Sequence, residues 1–160
     1  MRIKFGVFLA VLLNLSSSAW ADSPTNALSA EPSVNIKPSE VVQIVVDALR
    51  VNDPQTGDKG IATVWRFAAP SNKAITGPLA RFSQMIKAGF PDMLNHINSD
   101  YGPIRIEGDI AMQPVWLVTR SGDEVGYVFQ LRKQASDEYK GIWMTESVYP
   151  IAPKKPGTTI

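Results

Sequence analysis

From Val125 to Leu131 the chain alternates: Val125, Tyr127, Phe129 and Leu131 are separated by Gly126, Val128 and Gln130, with Arg132 following. A repeat of two describes an extended strand with one covered face. A helical period of 3.6 would scatter the same four large side chains around an axis and bury none of them together. The segment MQPVWLVTR (Met112 to Arg120) is read as its partner strand, joined through the turn Ser121-Gly122-Asp123. GIWMTESVY (Gly141 to Tyr149) gives a further strand beyond the polar turn Ala135–Lys140, and IRIEGDI (Ile104 to Ile110) gives the first of the four.

The preceding half has a different period. Pro38-Ser39-Glu40 places a proline and an acid in a first helical turn, where both are favourable. The run that follows (Val41, Val42, Ile44, Val45, Val46, Ala48, Leu49 and Val51) makes an apolar face too wide for a helix lying half in water. This helix is expected at the centre, packed on something as broad as a sheet. A second helix is read from Asp58, with Ile61, Val64, Trp65 and Ala68 on one side. Pro70-Ser71-Asn72 reads as the turn that ends it. A third helix starts at Gly77-Pro78, turns Leu79, Phe82 and Ile86 inward and stops at Gly89, and a short fourth covers Pro91–Ile97. Helices first and an antiparallel meander after them describe an α+β domain, with the N-terminal helices packed on a sheet of about four strands.

The chain's two ends carry a different composition. Arg2 and Lys4 precede the apolar run Phe5 to Leu15, and Ala19-Trp20-Ala21 has the small-x-small form of a cleavage site. Residues 1–21 are therefore expected to be a cleavable signal peptide and the protein to be exported, periplasmic or secreted. The apolar run is too short to span a bilayer, so no stable membrane span is expected after cleavage. Residues 22–37 read as a flexible leader, 38–151 as a single α+β domain and 152–160 as a disordered tail. Removing residues 1–21 leaves 14 basic side chains against 15 acidic ones, a net charge of −1. A chain so nearly neutral carries no electrostatic footprint for nucleic acid. There is no cysteine, which excludes disulfides, thiolate nucleophiles and cysteine-held metals.

Four stretches of the domain, NDPQTGDKGI, WRFAAPSNKAITGPLARF, GYVFQLRKQ and GIWMTESV, resemble in this order the uncharacterised family catalogued as domain of unknown function 4864. The overall shape is similar to the cone fold of nuclear-transport-factor-2-like proteins. That resemblance implies a curved sheet and a long helix enclosing a pocket. The family carries no established activity, so the resemblance implies a fold and supplies no catalytic residues.

Candidate chemistry must then come from the residues themselves. His96 is the sole histidine, and Asp92 lies four residues before it, so a catalytic pair is geometrically open on a helix. The blander reading, a surface histidine at a helix C-terminus, is favoured by the helix dipole. Glu146 has bulky neighbours in its strand and shares a face with Met144 and Val148; buried there, it could act as general acid or base. Glu107 and Asp109 share one face of the first strand by the same period of two. Trp65, Trp116, Tyr127 and Trp143 are candidate ligand-binding aromatics, against the commoner role of core filling. Asn72 and Lys73 are polar groups where a cone's mouth would lie, and Lys73 with Arg81 makes a weak candidate for an anion. One histidine and no cysteine leave little for a zinc site, so no metal and no cofactor are expected.

The leading expectation is a non-catalytic module that binds a small apolar or amphipathic ligand, or a partner. The alternative is a cofactor-free lyase or isomerase using the Glu146 carboxylate with His96 as helper. A homodimer packed through a sheet face is the third expectation.

Overall fold

The computed structural model describes residues 24–154. The signal peptide read over residues 1–21 lies outside the described residues, as do residues 22–23 and the end of the tail, 155–160. The described chain is α+β, with the helices preceding a single antiparallel sheet. Its helices are α1 (Pro24–Ala27), α2 (Pro38–Arg50), α3 (Lys59–Arg66), α4 (Pro70–Thr76) and α5 (Leu79–Gly89). Its strands are β1 (Asn98–Tyr101), β2 (Arg105–Glu107), β3 (Ile110–Val118), β4 (Glu124–Lys133) and β5 (Trp143–Ile151).

α2 begins where proline and acid predict it. The Lys37 backbone N–H, at the helix entrance, donates to Glu40 Oε2 at 2.7 Å, satisfying a group that the first turn leaves unpaired. Val41, Val42, Val45, Val46 and Leu49 are all buried, so the wide apolar face is the one that seals the core. They pack on the sheet's inner face, made by Ala111, Val115 and Leu117 of β3 with Tyr127, Phe129 and Leu131 of β4. Both strands alternate as the period of two requires. At about 25 cal/mol per Å² of apolar surface removed from water, this helix-on-sheet contact is the main source of stability in a chain without disulfides.

α3 docks against α2 through a close approach. A Cβ at Gly60 would stand 2.2 Å from the Ala48 carbonyl oxygen, so only glycine fits. Asn52 fastens the junction: its Oδ1 accepts the buried Ile61 N–H at 3.0 Å, and its Nδ2 donates to Asp58 Oδ1 at 3.0 Å. Asp58 stands at φ 54 and also pairs with Lys87 of α5 at 2.5 Å. The Lys87 and Asn52 hydrogen bonds hold the Asp58 carboxyl below its ordinary range.

Several elements depart from the sequence pattern. Pro70-Ser71-Asn72 opens α4 and does not form a turn, because proline is as welcome at the first position of a helix as in a turn. The fourth helix expected over Pro91–Ile97 is a single 3₁₀ turn, Pro91–Met93. The chain then bends at Asn95 (φ 55) and enters β1. The strand expected over Ile104–Ile110 is divided by Gly108 (φ 58) into β2 and the start of β3, with Glu107 paired to Ile110 across the turn. Glu107 and Asp109 therefore belong to a hairpin and do not share a strand face. β1 and β2 both pair with β3, one at each end of it, so the sheet order is β1-β3-β4-β5 with β2 beside β1 on the same edge.

Part of the expected leader is built into the domain. Ala27 is buried, Arg66 Nη1 donates to the Ala30 carbonyl at 2.6 Å, and Thr63 Oγ1 donates to the Leu28 carbonyl at 3.3 Å. At the other end, Ala152 and Lys154 contact the outer face of the sheet: the Ala152 carbonyl accepts from Trp116 Nε1 at 3.2 Å. No helix of the described residues is long and apolar enough to cross a membrane.

Candidate functional site

A cavity of about 260 Å³ opens between the helices and the β5 side of the sheet. Val45 and Leu49 of α2 and Val64 of α3 form its floor; Phe82, Met85 and Ile86 of α5 form one wall. Phe129 of β4 and Val148 of β5 close the sheet side, while Phe90 and Met93 close the far end. The polar lining is confined to one region: Asn72 and Thr76 of α4 and the stretch Thr145 to Ser147 of β5. A mostly apolar concavity with a few convergent polar groups is the usual form of a small-molecule site.

The polar region is shaped by a bulge. Gln130 pairs with Ser147 and Leu131 with Thr145, so Glu146 is one residue too many and opposes nothing on β4. The extra residue changes which side chains share a face. Val148 pairs with Phe129 of the inner face, whereas Met144, itself fully buried, pairs with Arg132 in the opposite phase of the strand. The common face read for Met144, Glu146 and Val148 is thus corrected, because a strict period of two ends at a bulge.

α4 is seated on that bulge. Phe67–Ala69 runs beside β5 as an added rung: the Thr145 N–H donates to the Phe67 carbonyl and the Ala69 N–H to the Thr145 carbonyl, each at 2.8 Å. Asn72 Nδ2 then donates to the Glu146 carbonyl at 3.0 Å and, more weakly, to that of Thr145 at 3.4 Å. Thr76 Oγ1 donates to the Asn72 carbonyl at 2.9 Å and lies 3.3 Å from Asn72 Oδ1. The Glu146 carboxylate accepts Ser71 Oγ at 2.6 Å on one oxygen and Arg132 Nε at 2.7 Å on the other. Both oxygens of Glu146 are therefore held, and its charge is matched by Arg132.

The other residues singled out in the sequence lie apart. His96 is 2 % exposed, so it is neither a surface residue nor part of the cavity lining. The Asn95 N–H donates to the Leu49 carbonyl at 2.9 Å and folds the histidine under the end of α2. His96 Nδ1 is 2.8 Å from the Met93 carbonyl, which can only accept, so Nδ1 carries the proton and Nε2 is left without a partner. Burial lowers the His96 pKa; the Met93 bond and Asp47 oppose this shift, and Arg50 adds to it. The ring is neutral, and Asp92, expected beside it, is exposed on the 3₁₀ turn.

The four aromatic candidates do not meet around one cavity. Trp65 supports Lys73, whose Nζ lies 4.5 Å from the ring centroid, and donates Nε1–H to the Gly77 carbonyl at 3.4 Å. Burial lowers the Lys73 pKa, with Glu138 opposing it. Lys73 and Arg81 are both absent from the cavity lining. Trp116 belongs to the outer face, where Lys154 Nζ lies 4.6 Å from its ring centroid. Tyr127 is core, its ring 6.1 Å from that of Phe90 and tilted by 51°. Trp143 is half-buried at the sheet's end, with Lys133 Nζ 6.0 Å from its ring centroid. Of the residues named for ligand binding, only Asn72 lines the cavity, together with Glu146 named for catalysis.

The lining that sequence reasoning missed is ordinary in composition: Val45, Leu49, Phe82 and Ile86 were legible as inward residues, but a core side chain and a cavity side chain carry the same pattern. Among the described residues no three His, Cys, Asp or Glu side chains gather where they could hold a metal ion.

No curated protein and no solved structure matches the chain. The family model described as "Domain of unknown function (DUF4864)" matches residues 35–158, which takes in β1 to β5, α2 to α5 and the bulge with its helical cover. The chain belongs to that family.

Proposed function

We propose that this protein is a non-catalytic module that holds one small apolar or amphipathic molecule in the cavity between α2, α5 and β5. The cavity itself carries the reading: about 260 Å³ of space whose lining is apolar except at one end. A lyase or isomerase using Glu146 is less well supported, since Ser71 and Arg132 occupy both carboxylate oxygens and His96 lies outside the lining. The bulge at Glu146, which bends β5, supports a curved sheet of the cone type seen in nuclear-transport-factor-2-like proteins. Residues 1–21, with their basic start and apolar run, support export to the periplasm or beyond.

The test uses residues 22–160 and the small neutral fluorescent probe 1-naphthylamine, which the cavity volume can hold. Its fluorescence should rise and saturate at one probe per chain. Val148→Trp, which places a large side chain in the cavity from β5, should weaken probe binding at least tenfold with an unchanged far-ultraviolet dichroism spectrum. An absence of saturable binding, or equal binding by a folded Val148→Trp chain, would sink the proposal. Pulse-labelling of the full chain tests export: a precursor that shortens by about 21 residues is the expected result, and a chain retained at full length in the cytoplasm overturns it.

A further inference from the structure

We infer that the molecule held in this cavity has an uncharged polar head on a short apolar body of roughly ten non-hydrogen atoms. The inference rests on the cavity being a ligand site, as proposed above, and defines its ligand class. Size comes first. An apolar cavity of roughly 150 Å³ accepts benzene, so about 260 Å³ takes a body nearly twice as large, such as a medium-length alkyl chain or a substituted single ring.

Charge decides the head. Among the described residues, the lining holds no lysine, arginine or histidine. Lys73, nearest in sequence to the polar end, is turned onto the Trp65 ring and lies outside the lining. A carboxylate or phosphate head would shed its hydration there and gain no cation in exchange. A cationic head fares little better. Glu146 is the ionisable residue of the lining, and Arg132 and Ser71 already hold its two oxygens. Neutral groups remain: Asn72 and Thr76 spend their donors on backbone carbonyls, but Asn72 Oδ1 and Thr76 Oγ1 keep lone pairs that accept from an alcohol or an amide. These groups sit at one end of the cavity, so the ligand would enter body first with its head at α4 and the bulge.

The experiment compares three ligands of one chain length, 1-nonanol, nonanoate and nonylamine, by displacement of 1-naphthylamine from residues 22–160 at pH 7.5. Nonanol should bind at least tenfold more tightly than either charged analogue, a difference of about 1.4 kcal/mol. Glu146→Gln should bring nonanoate several-fold closer to nonanol, because, among the described residues, the lining then carries no negative charge to repel the carboxylate. Nonanoate or nonylamine binding as tightly as nonanol overturns the head-group inference and leaves the cavity reading intact. If the probe binds saturably and none of the three displaces it, the size and head-group assignments both fall. Failure of the probe itself to bind is the separate result that removes the cavity reading.

Discussion

A methyl group at Gly60 would meet the Ala48 carbonyl oxygen at 2.2 Å and Asn52 at 2.9 Å. Two of the three closest atoms belong to the Asn52 side chain, but the nearest belongs to the backbone of α2 and cannot swing away. Gly60→Ala is therefore expected to destabilise the fold by about 3 kcal/mol, the upper end of the overpacking range, as a lowered urea midpoint with an unchanged slope. His96 gives a prediction in pH. Its pKa is lowered in the folded protein, so below the unfolded value of about 6.5 the unfolded chain binds the extra proton first. The stability from the neutral ring is complete above that pH and is lost as pH falls from 6.5 towards the folded pKa, by at most about 1.4 kcal/mol per unit. Asp58 acts in a separate window, its contribution waning only as pH drops below the ordinary carboxylate value of 3.8. His96→Gln should flatten the dependence of urea stability between pH 7 and 5; an unaltered slope would show that another group carries it. Sequence placed His96 on the surface because Asn95-His96-Ile97-Asn98 has a polar, helix-ending composition. A positive φ at Asn95 and one hydrogen bond to Leu49 reversed that, and neither leaves a mark in composition.

α4 has no buried residue of its own, so it is held by what its polar side chains reach. Asn72 is the strongest hold, since its amide covers carbonyls that the bulge turns away from β4. Asn72→Ala should destabilise by about 1–2 kcal/mol, the penalty of carbonyls left part-buried and unpaired. It should also speed amide exchange in Pro70–Thr76 well beyond that in α2. Ser71→Ala, which removes a bond from a more exposed pair, should cost less than about 1 kcal/mol. An Asn72→Ala chain as slow to exchange in α4 as the parent would mean that packing and not the bulge seats this helix. These short elements are also where sequence was least informative. Pro-Ser-Asn serves a turn and a helix start equally well, and Asn98-Ser99-Asp100-Tyr101 is extended mainly because the edge of β3 offers it a ladder. The long elements were readable for the opposite reason: α2 and β4 each carry enough periodic apolar residues to specify a buried face without help.

Across the whole molecule, a helical half and a sheet half share one core, so neither can bury its apolar face without the other. One part of the reverse side of the sheet, around Trp116, is covered in a different way, by the chain's own end. Gly126 lies between Trp116 and Ile151 in the sheet, and a Cβ there would meet the Ala152 carbonyl oxygen, Ile151 and the Trp116 ring, each near 3 Å. That bare position lets Trp116 lie flat enough to donate to the Ala152 carbonyl while Lys154 crosses its ring. Lys154 also pairs with Asp100, and its backbone N–H donates to Glu124 Oε1 at 2.5 Å, so three strands are bridged by one residue. The expected tail is thus, as far as Lys154, a strap over the outer face; its Ala-Pro-Lys-Lys composition gave no sign of this, because its partners are sixty residues or fewer away on a surface that sequence does not show. The individual contacts are exposed and weak, so Lys154→Ala should cost less than about 1 kcal/mol. Gly126→Val should cost about 2 kcal/mol, since it displaces the strap and crowds Trp116 together. Trp116 fluorescence, isolated in residues 22–160 by Trp65→Phe and Trp143→Phe, should shift to the red in Gly126→Val as water reaches the indole. A valine chain with unshifted emission and parent stability would mean that the strap can be rebuilt around a side chain at this position, and that the glycine is not what holds it down.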